Sequence, residues 1–440
     1  MVDTFKGGIR VNEHKNTAHT RVSRISDPKT VTIPMSQHIG AHCTVCVSVG
    51  DYVFKGQMIG DVSAGLGCPV HSSVSGKVTK ITSHLTPTGM RVEDIVIEND
   101  GKDTMSPEVS FKGREIEQTT SDEIIDIVRR AGISGMGGAT FPTYAKIQSA
   151  RGKVDTLIIN AAECEPFITA NNRLLNEHPE SVINGARVLL HAVGLSHGYI
   201  AIEDNKPHSV QIMKALTADM PELDVRVMKT KYPQGDERQL IYAITGRELP
   251  SGKLPADVGC VVFNAETASA VYRAFNSDYP LIERIVTVDG DCIKNPKNLE
   301  VPIGTSYRDL IAECGGLIKT PKYIINGGPM MGFAQWDVDA PVTKGTSAIL
   351  VFSEDIKPEY DQPHECVRCG RCVAGCPMHL MPNYMAAYSK KRMYDEAESF
   401  GLMSCVECGS CSYVCPAHVP LVQYIRTAKA AIRAKGRDKK

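Results

Sequence analysis

Eight cysteines near the C-terminal end carry the plainest chemistry in this sequence. Cys366, Cys369, Cys372 and Cys376 stand in C-V-R-C-G-R-C-V-A-G-C-P, and Cys405, Cys408, Cys411 and Cys415 in C-V-E-C-G-S-C-S-Y-V-C-P. Each run reads Cys-x-x-Cys-x-x-Cys-x-x-x-Cys-Pro, the spacing of [4Fe–4S] ligands. Three thiolates on one tight loop grip three corners of a small cube. The fourth corner must come from elsewhere, and the proline turns the chain away. A zinc site needs only two close pairs of ligands, and it explains neither the triple spacing nor its repetition. A disulfide scaffold needs an oxidising compartment, and Met1–Arg10 is not an apolar secretory signal.

A second group of residues lies in the middle of the chain. In G-I-S-G-M-G-G-A-T-F-P, Gly135, Gly137 and Gly138 free backbone N–H groups to face a phosphate, and Lys146 follows to neutralise it. Glu163 and Glu165 end an apolar strand, at the edge where open α/β sheets place their ligands. On pattern alone a solvated loop accounts for these glutamates equally well. An iron–sulfur domain needs an electron donor or acceptor, and a phosphate cofactor that converts between hydride and single electrons is a flavin.

The rest of the chain must position these groups. Its 440 residues are enough for about three domains. Hydrophobic content of 42% and charged content of 22% are those of a globular protein, and a net charge of −1 excludes nucleic-acid binding driven by overall charge. No run of ~18 apolar residues is present to span a membrane. Of 15 cysteines, seven fall outside the two runs: Cys43, Cys46, Cys68, Cys164, Cys260, Cys292 and Cys314. Most of these are expected as buried thiols of a reducing cytoplasm.

Val31 to Asn99 reads as all-β, with β-branched runs at Thr44–Val49, Lys77–Ile81 and Asp94–Glu98 between glycine turns. An amphipathic helix is expected over Ser121–Arg130, with Ser121 able to cap it. Strands at Thr156–Asn160, Gly198–Glu203 and Leu223–Met228 alternate with helices at Ser181–Val193, His208–Thr217, Gln239–Thr245 and Ala268–Ala274, which argues for a largely parallel sheet. A small mixed unit follows, with Ile285–Asp289, Leu299–Pro302, a helix Tyr307–Cys314 and Tyr323–Asn326. Lys357–Pro363 reads as a linker, Pro382–Glu398 as helical, and Leu421–Lys435 as a basic helix carrying Arg426, Lys429, Arg433 and Lys435. That helix is either solvated or turned toward anionic lipid or an acidic partner.

Several phrases resemble known families. The two cysteine runs match those of bacterial two-cluster ferredoxins, where the fourth cysteine of each run ligates the other cluster. The resemblance implies one cluster on Cys366, Cys369, Cys372 and Cys415, and a second on Cys405, Cys408, Cys411 and Cys376. V-G-D-Y-V-F-K-G-Q and P-V-H-S-S-V-S-G-K-V resemble the hammerhead sandwich of biotinyl and lipoyl carriers. The stretch from Asp61 to Cys68 lacks the lysine that such carriers modify, and His71 is expected as a packed side chain.

G-M-G-G-A-T-F-P-T-Y-A-K, N-A-A-E-C-E-P, Y-P-Q-G-D-E-R and F-N-A-E-T resemble the FMN- and NADH-binding subunit of respiratory complex I. The resemblance implies FMN contacts from Gly135, Gly137, Gly138, Lys146, Asn160, Glu163, Glu237, Asn264 and Thr267. It places Glu165, Phe141 and Tyr232 on the NAD(H) side, with Glu165 as the candidate catalytic group. Met136, Thr140, Ala162 and Phe263 depart from that family, which carries arginine, glycine, aspartate and asparagine there.

With T-F-K-G-G-I and I-P-M-S-Q-H-I-G added, nearly the whole chain resembles the RnfC family, the NADH-reactive subunits of membrane-bound ferredoxin:NAD oxidoreductases. The implied architecture is multidomain α/β. A barrel-sandwich domain spans 1–110, an FMN/NAD(H)-binding α/β domain 111–282, a β-grasp unit 283–352, and a two-cluster ferredoxin-like α domain 353–440. The implied function is hydride exchange between NAD(H) and non-covalent FMN, then one-electron exchange with two [4Fe–4S] clusters. The expected partners are other subunits of the complex, a ferredoxin-like iron–sulfur subunit among them, and no nucleic acid. Such a subunit sits peripherally on the cytoplasmic side of the membrane, and its complex moves sodium ions or protons. Two alternatives stand beside this one: a corrinoid reductase with the same cofactors, and a flavin-free electron relay.

Overall fold

The computed structural model describes residues 3–85, 91–356 and 364–437. The Lys357–Pro363 linker lies outside them. The N-terminal sandwich has two sheets. One runs in the order Thr30–Pro34, Arg91–Asn99, Gly76–Leu85, Tyr52–Val53, and the other Thr44–Val45, Met58–Asp61, Val70–His71. Alternation builds its core: Val31 and Ile33 from one strand, Ile95 and Ile97 from its neighbour, Val78 and Val53 further along the same sheet, and Ile59 from the other sheet, all fully buried. Two of the expected strands are longer than their β-branched runs, while Thr44–Val49 pairs only over Thr44–Val45. His71 is buried, as a packed histidine should be.

The α/β domain is built on four parallel strands in the order Leu223–Met228, Gly198–Glu203, Thr156–Ala161, Cys260–Asn264. The strands are apolar on both faces because helices cover both. Helices Pro179–Val193 and Ala265–Ser277 pack so closely that Gly185 lies against the Ala268 backbone, where no Cβ fits. The helix Ser121–Arg130 is capped by Thr120, not Ser121: Thr120 Oγ1 accepts from the Glu123 amide and the Glu123 carboxylate accepts from the Thr120 amide, a capping box. Ser121 instead donates to the Ala192 carbonyl. Helices Thr143–Ala150 and Ala170–Glu177 go beyond what the pattern predicts.

The third sheet has six strands in the order Ser23–Arg24, Lys297–Pro302, Glu283–Asp289, Ala348–Phe352, Tyr323–Asn326, Phe333–Gln335. The helix Tyr307–Glu313 buries Tyr307, Leu310 and Ile311 on it. The expected boundary at residue 110 groups the first residues with the sandwich, but the structure threads them elsewhere. Asp3 bridges to Met228, Ile9 to Tyr232, and Ser23–Arg24 pair with Leu299–Glu300. Phe5 and Ile9 are apolar and need cover, which the α/β domain provides. Gly7, at φ +79°, lies so close to the cysteine domain that an added Cβ would stand 2.7 Å from the Cys376 carbonyl oxygen. Lys344, 1% exposed, donates to the carbonyls of Pro69 at 2.8 Å and Gly132 at 2.6 Å, and its amide donates to Gln37 at 3.0 Å. It ties the β-grasp unit to the sandwich and the α/β domain together.

In the cysteine domain the expected helix over Pro382–Glu398 is two, Pro382–Lys390 and Tyr394–Ser399, broken where Arg392 takes φ +60°. The terminal helix runs Leu421–Arg437. It is not simply solvated: Lys429 is 4% exposed, and both Arg426 and Lys429 ion-pair with Glu407. No helix among the described residues is long and apolar enough to cross a membrane.

Candidate functional site

The chain leaves the Thr156–Ala161 strand in one direction twice, then crosses to lay Cys260–Asn264 on its other side. The C-terminal ends of these two strands mark the topological switch point, where a crevice opens for a ligand. Asn160 and Asn264 are register partners at that edge. Asn160 Nδ2 donates to the Gly235 carbonyl at 2.9 Å and its Oδ1 accepts from the Ala162 amide at 3.1 Å. Asn264 caps the helix Ala265–Ser277, accepting from the Glu266 amide at 2.9 Å.

The glycine loop closes over this edge. Thr267 Oγ1 accepts from the Met136 amide at 3.0 Å, and a Cβ on Gly137 would stand 3.3 Å from that of Asn264. Gly138, at φ +113°, faces open space. Lys146 Nζ pairs with Glu237 at 2.7 Å, both side chains partly exposed, and lies 5.7 Å from the centre of the Phe263 ring. Ser134 Oγ and Thr143 Oγ1, which flank the loop, are buried without a hydrogen-bond partner. A glycine cradle with open space, two orphaned hydroxyls and a lysine held only by a partly exposed carboxylate fit an anionic, phosphate-bearing group.

Glu163 and Glu165 turn away from solvent. Glu163 accepts from the amides of Asn171 at 2.8 Å and Asn172 at 3.3 Å, at the start of the helix Ala170–Glu177. Burial raises its pKa against the pull of Lys15 and Lys206. Glu165 accepts from the amides of Met330 at 3.1 Å and Met331 at 3.0 Å in the β-grasp unit. Burial pushes its carboxyl up to about 7, against those two amides. Tyr232, 1% exposed, lies 3.4 Å from Glu165 and donates to the Cys408 carbonyl at 2.6 Å. Glu165 and Tyr232 thus meet at the junction of three units. Phe141 stays with the glycine loop, its carbonyl accepting from the Gly135 amide at 2.9 Å.

The two cysteine runs fold alike. Arg368 and Glu407 take φ of 56° and 58°, and Gly370 and Gly409 take 75° and 83°. The Arg368 amide donates to Cys366 Sγ and the Glu407 amide to Cys405 Sγ, each at 3.4 Å. Such N–H···S contacts favour thiolates and suit cluster ligands. The Cys411 thiol is raised by burial and then by the nearby thiols of Cys408, Cys405, Cys376 and Cys372. Cys376 also acts on Cys405 and Cys408. Cys376, the fourth cysteine of the first run, thus lies near the second run, as Cys372 does. Cys372 feels Cys366, and it packs with Cys415 against Ala386, Leu421 and Val422. Among the described residues no three His, Cys, Asp or Glu side chains converge as ligands of a single ion. Thiolates on the corners of a cube need not do so.

Pattern reasoning misses Lys15. Its ammonium donates to the carbonyls of Glu163 at 2.9 Å, Glu165 at 2.8 Å and Ile168 at 2.7 Å, and so holds the loop that carries both glutamates. It also misses Asp236, the half-buried cap of the helix Glu237–Thr245, whose carboxyl burial pushes up to about 6. Two polar cavities, of about 270 and 560 Å³, lie beside this loop, away from the glycine loop, and Lys15 and Glu163 line both.

The fold and these groups define an electron-transfer protein that couples an α/β flavin-type crevice to two four-cysteine loops. Family models agree unit by unit: an RnfC barrel sandwich hybrid domain at 3–102, a Nuo51 FMN-binding domain at 128–273, an SLBB domain at 285–334 and a 4Fe-4S dicluster domain at 359–416. The RnfC-type component of the Na(+)-translocating ferredoxin:NAD(+) oxidoreductase complex of Acetobacterium woodii is 45% identical, over 99% of this chain and 98% of its own length. Its counterpart in the proton-translocating ferredoxin:NAD(+) oxidoreductase complex of Clostridium ljungdahlii is 42% identical, over 100% and 96%. The chain belongs to this family, the RnfC subunits of ferredoxin:NAD+ oxidoreductase complexes. Those relatives do not favour the corrinoid-reductase or flavin-free readings. The fold is also similar to NAD+-reducing [NiFe]-hydrogenase in its H2-reduced state, with a TM-score of 0.52 at 19% identity, over 73% of this chain and 62% of that one.

Proposed function

We propose that this chain is the NAD(H)-reactive, peripheral subunit of a membrane-bound ferredoxin:NAD+ oxidoreductase, placed on the cytoplasmic side by its partner subunits. The observation that carries the reading is the Tyr232–Cys408 hydrogen bond, which joins the crevice-bearing domain to a cysteine loop through one buried contact. FMN in the crevice would supply the exchange between hydride and single electrons, which two [4Fe–4S] clusters carry onward.

The chain's own residues divide the remaining work. Gly135, Gly137, Gly138, Lys146 and Thr267 would receive the phosphate, and Asn160, Glu237 and Asn264 would line the approach to the sugar chain and ring, while Glu163 acts from behind by holding the start of the helix Ala170–Glu177. Phe141 borders the dinucleotide side. Glu165 and Tyr232 brace the end of the crevice against the second cysteine loop and keep water out of the contact. Glu165, with its pKa near 7, is the residue that holds or releases a proton there. Cys405, Cys408, Cys411 and Cys376 would hold one cluster, on the loop that Tyr232 touches, and Cys366, Cys369, Cys372 and Cys415 would hold the other. The two relatives differ in the ion their names give, so the ion is left to the membrane partners.

The test is anaerobic purification of the full chain, with iron, sulfide and released flavin quantified before NADH is added. About eight irons and one FMN that bleaches with NADH are expected. Iron without flavin, or flavin untouched by NADH, would refute the reading. Cys372→Ala is expected to halve the iron and leave FMN bound. Full iron in that variant would overturn the ligand assignment.

A further inference from the structure

Each cysteine run is followed by a helix, and the repeat places one lysine twice. Lys390 and Lys429 stand at the same offset, fourteen residues past Cys376 and Cys415. Each reaches the start of a cysteine run. Lys390 pairs with Glu365, next to Cys366, and Lys429 donates to the Cys405 carbonyl at 2.8 Å. Their surroundings differ. The first cysteine loop is an outer one: every residue from 364 to 371 is exposed, and the side chains of Lys390 and Glu365 are 55% and 94% exposed. The second is an inner one: Cys408 and Cys411 are each 7% exposed, and the Lys429 side chain 5%.

Lys429 lies on the apolar stripe of its own helix. Ile425, Ala428 and Ile432 pack there with Met385, Leu402 and Cys405. An ammonium in such a stripe costs desolvation that an apolar side chain would not. Its pairing does not cancel its charge. Glu407 meets Lys429 with one carboxylate oxygen and Arg426, at 3.3 Å, with the other. One carboxylate therefore faces two cations, and a net positive charge remains beside the inner loop. Tying down the Cys405 carbonyl needs only a donor. The surplus charge suits a neighbour that gains negative charge.

We propose that Lys429 raises the reduction potential of the cluster on the inner loop. The inference rests on the function proposed above and deepens it. Reduction there adds one electron, with no bond made or broken and no proton moved. The buried ammonium stabilises the added charge through an interior that water does not screen. Lys390, at the same offset, acts across solvent and contributes little. Two loops alike in backbone are thereby made unequal, and an electron shared between them is drawn toward the loop that Tyr232 touches.

The experiment is a potentiometric titration of the full chain, purified anaerobically with its iron and followed by electron paramagnetic resonance. The Cys372→Ala background, which keeps one cluster, assigns the inner signal. Lys429→Met retains the stem on its apolar stripe and removes the charge. It is expected to lower the reduced-to-oxidised ratio of the inner signal about tenfold at a fixed poise, a negative shift of about 59 mV for one electron, with the outer signal, iron and flavin unchanged. Lys429→Arg should restore the midpoint, and Lys390→Met should leave both midpoints in place. Glu407→Gln should shift the inner midpoint the other way, because two cations then stand uncompensated. An inner midpoint unmoved by Lys429→Met at full iron content would overturn the proposal and leave the lysine as a structural tie. So would an equal shift from Lys390→Met. Should Lys429→Met cost iron, Glu407→Gln decides the matter: a positive shift supports the proposal, and no shift or a negative one overturns it. Absent iron or flavin in the unaltered chain would instead fail the relay itself.

Discussion

The glycine loop and the Glu163–Ile168 loop border the same end of one parallel sheet, yet they are built on opposite terms. In the first, Lys146 has a single, partly exposed partner and Gly138 faces open space. In the second, one lysine, Lys15, satisfies three carbonyls, and both carboxylates are taken up by backbone amides. A wall that receives a ligand keeps its donors uncommitted. A wall that must hold a neighbouring domain in place spends every donor it has.

Lys15→Met should break the second wall outright. Three part-buried carbonyls would lose their donor, and a loss on the order of 3 kcal/mol is expected in denaturant unfolding, whereas Lys146→Ala should cost under about 1 kcal/mol and show instead as FMN lost on dialysis. Equal destabilisation by the two would erase the contrast.

Glu165→Gln sharpens it through pH. Because burial lifts this carboxyl from 4.5 to about 7, the folded chain holds the proton more tightly than the unfolded one. Its contribution is full below 4.5 and is lost as pH rises through about 7, so from pH 5 to 7 the native chain should lose about 2 kcal/mol that the Gln variant keeps. Parallel pH–stability curves would show that the carboxyl is not so perturbed.

Tyr232→Phe makes a smaller change than Glu165→Gln. It leaves the Cys408 carbonyl without its 2.6 Å donor, and a loss of about 1 kcal/mol is expected, with faster amide exchange confined to the second cysteine loop. Exchange altered throughout the molecule would point to a general packing defect.

What could be read from the sequence was what is local. Cysteines three apart on one loop must face one volume, and alternation over Thr30–Pro34 must bury Val31 and Ile33. The glycine–lysine pattern likewise found a crevice edge, because Asn160, Asn264 and Thr267 come to it from strand and helix ends. What stayed hidden acts across distance. Nothing near Lys15 in the chain announces that its ammonium will lie under residues 163 to 168, and nothing in Leu421–Arg437 says that two of its cations face inward to Glu407. The helix Ala170–Glu177 lies beyond the pattern because it is only 8 residues long and rich in asparagine, a weak helix former, and its start is fixed from outside by Glu163, which accepts from the amides of Asn171 and Asn172. The cap at Thr120 was missed by one residue, since Ser121 has the same chemistry and only the backbone decides between them.

The threading of the first residues has a consequence for how the molecule is made. Asp3, Gly7, Ile9 and Arg24 are synthesised long before the surfaces they settle on, at Met228, Cys376, Tyr232 and Glu300. The opening segment must therefore wait, unpaired, through most of translation, and its closure belongs to the last steps of assembly. A strap that shuts over Cys376 only at the end leaves the inner cysteine loop accessible until then, so the window for loading its metal is set by the slowest contact in the chain. A bulky fusion before Asp3 would hold that window open.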